Sequence, residues 1–184
     1  MDLDYAIALA PESPDVRYIV ADAYTYGLPD PDRAFTEATF ALEGGLSTPR
    51  VHAILGSAHV AFGDLTAAAT HIQTHIELVT TELLTTSPLP ARASMALDLV
   101  PGRTYNIPLV VSAGEVVSIV TSSHDYWDTI LVLLDPDGSP VLGSDDSWKY
   151  FAAFDWIAPS SGTYRMRVTF FESVITGTLR VSRK

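Results

Sequence analysis

Four aspartates in the last third of the chain, Asp125, Asp128, Asp145 and Asp146, are placed where they could act together. Asp135-Pro136-Asp137-Gly138 is a turn sequence between two strand-like runs. Folding the chain back at about Asp137 lays residues 129–134 antiparallel to residues 140–144. Asp128 then lies opposite Asp145 and Asp146, with Asp125 and His124 in the adjoining loop. Carboxylates converging on one rim can hold Ca²⁺, a hard cation that takes about six to eight oxygens. The same side chains can instead cap loop N–H groups, as Asx residues do at strand ends. Close by in sequence, Tyr126, Trp127 and Trp148, with Tyr150, Phe151, Phe154 and Trp156, could form an aromatic shelf that stacks a sugar ring beside the carboxylates. Phe154 and Trp156 share strand parity and equally suit a core. His71 and His75 have the i,i+4 spacing of a helical zinc pair, but Ile72 stands where a metalloprotease helix needs glutamate. Packed or exposed histidines are the expectation there.

No catalytic constellation accompanies these residues. G-x-S-x-G, H-E-x-x-H, the P-loop and G-x-G-x-x-G are all missing from the sequence. Without cysteine, thiol catalysis, disulfides and thiolate metal sites are excluded. The 22 Asp and Glu against 11 Lys and Arg give a net charge of −11, which opposes binding to a phosphate backbone, so no nucleic-acid partner is expected. No apolar run is long enough to insert in a membrane, and Met1 followed by Asp2 and Asp4 does not read as an ordinary signal peptide. A role in binding or scaffolding is what remains.

The charge is divided unevenly. Residues 1–87 hold twelve acidic side chains against Arg17, Arg33 and Arg50, whereas residues 88–184 hold ten against eight Lys and Arg. Alanine dominates the first stretch; Val, Thr, Ser and Tyr become frequent in the second. Ser87-Pro88-Leu89-Pro90 disfavours a helix running through the change. The expected organisation is helical over 1–85, a linker over 86–92, and β over 93–184.

In the first part, Ser13-Pro14, Asp30-Pro31 and Thr48-Pro49 each pair an N-capping side chain with a proline that gives up an N–H the helix cannot use. Asp64-Leu65 makes a fourth start, and Gly27, Gly44 and Gly63 stand where the helices should stop. Short turns between such helices require antiparallel neighbours. In the second part the period changes to two. Met95, Leu97 and Leu99 alternate with polar or small residues, as do Tyr164, Met166, Val168 and Phe170, while residues 116–120 and 130–134 are more continuously apolar. About eight short strands in such a stretch predict an antiparallel β-sandwich or jelly roll.

Ala34 recurs as Ala68, Val20-Ala21 as Leu55-Gly56, with Tyr24, Ala41, Gly63-Asp64 and Ile72 at matching places. Through these residues the first part resembles a tetratricopeptide repeat array of about two and a half repeats. Arg17 and His52 stand where that family often has Trp, and His59 where it has Tyr. Residues 6–11 look like the close of a repeat without its first helix, so the chain is expected to begin inside a longer array or, alternatively, on a solvating cap. The resemblance implies a concave partner-binding groove of first-helix residues: Asp15, Tyr18, Asp22, Thr25 and Tyr26, then Arg50, Ala53, Ser57 and Val60. With Asp15 and Asp22 in place of the cations of a carboxylate clamp, its protein or peptide partner is expected to be basic or neutral.

The second part carries Val100-Pro101-Gly102-Arg103-Thr104-Tyr105, Ala113-Gly114-Glu115, Asp128 before a Leu-rich strand, Ser144-Asp145-Asp146 and Ala158-Pro159-Ser160-Ser161-Gly162-Thr163-Tyr164 in that order. This series resembles the bacterial pre-peptidase C-terminal domain family. The resemblance implies a non-catalytic sandwich module and an extracytoplasmic setting, and it leaves open a carbohydrate- or Ca²⁺-dependent adhesion role or service as the tail of a longer enzyme.

Overall fold

The computed structural model describes residues 3–123, 128–145, 152–170 and 177–183. Five α-helices come first: α1 (Leu3–Leu9), α2 (Pro14–Asp22), α3 (Pro31–Glu43), α4 (Pro49–Ala61) and α5 (Leu65–Val79), with a π-helical turn (Ala23–Gly27) extending α2. Ser13, Asp30, Thr48 and Asp64 cap the last four, accepting hydrogen bonds from the amides of Val16, Arg33, Val51 and Ala67 at 3.4, 3.1, 3.3 and 2.9 Å. None of these helices is long and apolar enough to cross a membrane. Small residues let them approach: Ala21, Ala34, Ala38 and Ala41 interleave with Val51, Ile54 and Leu55, burying one cluster shared by α2, α3 and α4.

The strands follow as β1 (Glu82–Thr85), β2 (Ser94–Leu99), β3 (Arg103–Val111), β4 (Val116–Ser123), β5 (Thr129–Leu134), β6 (Pro140–Asp145), β7 (Ala153–Ile157), β8 (Gly162–Phe170) and β9 (Gly177–Arg183). They form two sheets, ordered β1-β3-β8-β5-β6 and β2-β9-β4-β7. Their facing sides share a core of Ile107, Leu109, Leu131, Leu133, Met166 and Val168 from one sheet with Leu97, Val117, Ile119 and Phe154 from the other.

Two details differ from a wholly antiparallel sandwich that starts after a linker. Strand β1 lies within the stretch expected to be helical and runs parallel to β3, Glu82 beside Arg103 and Thr85 beside Asn106. Between them the chain visits the other sheet as β2, and that crossover lets it return in the same direction. The expected linker also carries core: Leu89 is 1% exposed and its N–H reaches the Pro108 carbonyl at 3.0 Å.

The helices form a third layer, laid on the outer face of the five-stranded sheet. Strand β5 shows why. All six of its residues are buried, with Leu131 and Leu133 inside the sandwich and Ile130, Val132 and Leu134 against Ala53, Ala68, Ala69, Ile72 and Ile76 of α4 and α5. A strand covered on both faces has no polar side to alternate with, so it reads as a continuous apolar run. Contact is close enough to need glycine. A β-carbon on Gly143 of β6 would lie 2.7 Å from Ala69 Cα and 2.8 Å from Ala69 N, and one on Gly56 of α4 would lie 2.8 Å from Ile72 Cγ1. The uneven charge is partly settled between the two stretches: Arg167 of β8 meets Glu77 of α5 across this junction at 3.4 Å, and Arg103 of β3 meets Glu82 of β1 within the sheet at 2.8 Å.

Candidate functional site

Hairpin β5–β6 sets the first half of the site. Ile130 pairs with Asp145 and Leu133 with Leu142, but Leu134 pairs with Pro140, a bulge that accommodates Val141. The expected register, with Asp128 opposite Asp145 and Asp146, is displaced by this extra residue, since Asp145 pairs with Ile130 instead. Opposite residues share a face, so Asp145 stands with Ile130 on the helix side of the sheet, where it is 2% exposed. Its neighbour Ser144 points the other way, accepting from Ala153 N at 3.0 Å and donating to Ala153 O at 2.7 Å, which ties β6 to β7. Thr129 and Thr121 lie 2.6 Å apart at the same end, with Ala152 N donating to Thr129 at 3.1 Å and Ala152 O accepting from Thr121 at 2.9 Å. These buried bonds hold the end of the sheet that presents Asp145 and Asp128.

The helices supply the second half. Ser57 of α4 donates a hydrogen bond to Asp145 Oδ2. Tyr26, in the π-helical turn, lies under the Arg50 guanidinium at 4.2 Å from its ring centre, and Arg50 Nε donates to Asp22 at 2.8 Å. Burial of the phenol, followed by the nearby charge of Asp145, holds the Tyr26 pKa far above its ordinary value; Arg50 pulls it down, and Asp128 and Asp22 push it further up. Tyr26 therefore stays a neutral phenol, although the residue as a whole is 41% exposed.

Between the π-helical turn, the start of α3, the end of α4 and the tip of β6 opens a cavity of about 230 Å³. Tyr24, Tyr26, Pro29 and Ala58 wall it, and Asp30 and Asp145 bring carboxylates to it. Two sets of residues far apart in sequence thus meet in one place. From the expected groove, Thr25, Tyr26 and Ser57 line the cavity, while Asp22 and Arg50 flank it as an ion pair. Asp15 is exposed in the first turn of α2, and Tyr18 packs on the α2–α4 cluster. Ala53 and Val60, expected in the groove, lie instead against the sheet.

Of the expected metal rim, Asp128 and Asp145 are at the site; Asp125 and Asp146 lie outside the described residues, as do Tyr126, Trp127 and Trp148. Among the described residues no group of three His, Cys, Asp or Glu could hold a metal ion. Phe154 is core, and Trp156 meets Tyr164 edge-on at 4.7 Å. Pattern reading missed Tyr24, Pro29 and Asp30 because they were read only as a repeat-motif residue, a turn residue and a helix cap.

His71 and His75 do not act as a pair. His75 turns its Nδ1 to the Pro49 carbonyl at 2.8 Å, while His71 Nδ1 lies 3.2 Å from His52 Nδ1 and its ring stacks on His59 at 5.7 Å. His52 in turn meets Ser47 Oγ at 3.0 Å, and His59 meets Phe35 edge-on. Burial, then the neighbouring His52 and His59, pushes His71 down to about 4 from the ordinary 6.5, and burial lowers His52 too. The fold thus favours neutral rings, whereas the unfolded chain begins to take up protons near pH 6.5. Their contribution is fully present above that pH and is lost as pH falls towards 4. The melting temperature should drop on acidification from about pH 7 to pH 5, with His71→Gln flattening the slope; a wild-type profile level over that range would contradict the cluster's role.

The sequence matches no protein-family model and no curated relative. Among solved structures, the chain is similar to the pre-peptidase C-terminal domain of a collagenase from Bacillus anthracis (14% identity, 56% of this chain and 95% of that one, TM-score 0.46). It is also similar to Aeromonas hydrophila PliG, a periplasmic inhibitor of g-type lysozyme (16% identity, 56% and 98%, TM-score 0.44), and to CorA, a surface-associated copper-binding protein of Methylomicrobium album BG8 (8% identity, 55% and 98%, TM-score 0.40).

Proposed function

We propose that this chain is a non-catalytic interaction module in which tetratricopeptide-like hairpins and a pre-peptidase-like sandwich form one body, with a protein or peptide partner docking at their junction. The observation that carries this is the cavity where Tyr26 and Ser57 of the helices meet Asp145 of β6. Concave sites of this kind gather where two layers meet, and the acidic surplus of the helices favours a basic or neutral partner over an acidic one or a nucleic acid. An extracytoplasmic setting belongs to the same proposal and rests on the ordered motifs of residues 93–184.

Fluorescein-labelled basic, neutral and acidic peptides, titrated by anisotropy at low ionic strength, test it. Basic and neutral peptides should bind, acidic ones should not, and Tyr26→Ala should weaken binding by about tenfold, equivalent to about 1.4 kcal/mol. Binding by none of the three classes, or binding untouched by Tyr26→Ala, would overturn the proposal.

A further inference from the structure

Beyond the interaction role, we propose that His52 and His71 together hold a divalent late first-row metal ion, Zn²⁺ or Cu²⁺, between their Nδ1 atoms. The two rings come from neighbouring helices, α4 and α5, and those nitrogens lie 3.2 Å apart. Two Zn–N bonds of about 2.0–2.1 Å at a tetrahedral angle span about 3.3 Å, so the pair already has the bite such an ion needs. The rings are centred 5.4 Å apart and tilted by 33°. Rocking each ring brings both lone pairs onto one point while the helices stay in place.

Each ring is held from behind. His52 Nε2 lies 3.0 Å from Ser47 Oγ; with its Nε2–H donated to that hydroxyl, His52 keeps the Nδ1 lone pair for a ligand. Metal-binding histidines fix their far N–H in this way. His71 stacks on His59, with ring centres 5.7 Å apart and planes 12° from parallel, and His59 in turn meets Phe35 and Phe62 edge-on. Burial keeps both rings neutral. Without an ion, the His71 Nδ1–H faces His52; binding asks His71 only to move that proton to Nε2, with no net proton released. The donor set selects the ion, since imidazole nitrogen suits Zn²⁺ and Cu²⁺ whereas Ca²⁺ and Mg²⁺ call for oxygen. Among the described residues no group of three His, Cys, Asp or Glu could hold an ion, so the site has two protein ligands, and water takes the remaining positions. The net charge of −11 favours a dication at any such point.

The test is a titration of the full wild-type chain with ZnCl₂. Two-bond ¹H–¹⁵N spectra of the imidazole rings report each ring nitrogen separately, and calorimetry gives the affinity. Zn²⁺ should move the Nδ1 resonances of His52 and His71, CuSO₄ should bind at least as tightly, and CaCl₂ and MgCl₂ should do neither. His71→Gln should weaken Zn²⁺ binding by about tenfold or more, and Ser47→Ala, at an exposed loop position, by about tenfold through loss of the bond that orients His52. No movement of either Nδ1 at millimolar Zn²⁺, movement confined to His75 or His124, an equal response to Ca²⁺, or an affinity unchanged by His71→Gln would overturn the proposal. The cavity that carries the interaction role is lined by none of these residues, so the peptide titration and this one can fail independently.

Discussion

Gly143→Val should lower the unfolding free energy by about 3 kcal/mol or more and separate α5 from the sheet. At this position strand and helix meet backbone to backbone. A β-carbon would sit 2.7 Å from Ala69 Cα and 2.9 Å from Ile72 Cδ1, and neither Ala69 backbone atom can swing aside as a flexible side chain would. The added atoms must push α5 off β6, and with it Ile76 and Ile72 off Ile130 and Val132. For a chain of this size the loss corresponds to a fall in melting temperature of roughly 10 °C. Differential scanning calorimetry checks it. Binding of an apolar dye such as ANS should rise as the buried face between the layers opens. A variant that melts within a degree or so of wild type would show that the close approach of Gly143 to Ala69 does not hold the layers.

Ile72→Ala should cost about 3 kcal/mol, within the range for deleting a large aliphatic side chain from a packed interior. Ile72 is 1% exposed, and it belongs to two interfaces at once. Its Cγ1 fills the space left by Gly56 of α4, and its Cδ1 reaches Gly143 of β6. Truncation therefore opens a gap shared by the helix pair and the sheet, and the surroundings cannot collapse into it without moving all three elements. Urea unfolding gives the magnitude. A cost well under 1 kcal/mol would contradict this triple contact.

How much of this was legible follows from the range of each interaction. The helix starts were, because Ser13, Asp30, Thr48 and Asp64 act on amides three residues ahead, a local rule that the wider fold does not disturb. The two-sheet core was too, since Tyr164, Met166 and Val168 alternate in sequence as they do in space. Residues 130–134 stood out as a more continuously apolar run, but the run by itself was not read as a strand with a covered outer face, and Gly143 gave no signal until the helix lay against it. What lies there was not legible, because α5 and β6 are joined by no local pattern. The same limit applies to the site. Tyr26 and Ser57 were singled out by the groove that the repeat resemblance implies and Asp145 by the carboxylate rim, yet Ser57 and Asp145 are 88 residues apart and only the docking of the layers brings them together. The uneven charge suggested two separate units, but Arg167 with Glu77 links the two stretches. A single bulge, at Val141, was enough to shift the register in which Asp128 was expected opposite Asp145 and Asp146, so that Ile130 pairs with Asp145.

The packing of α4 and α5 on the five-stranded sheet predicts that helices and sheets unfold as one cooperative body. All three tryptophans fall within residues 88–184 of the sequence and Trp156 lies in β7, so tryptophan fluorescence reports on that stretch, while far-UV ellipticity is dominated by the helices. Urea unfolding of the wild-type chain, recorded with both signals on the same samples, should give a single shared midpoint. Loss of helical ellipticity at lower urea, with the tryptophan transition left in place, would show two independent units and contradict the account.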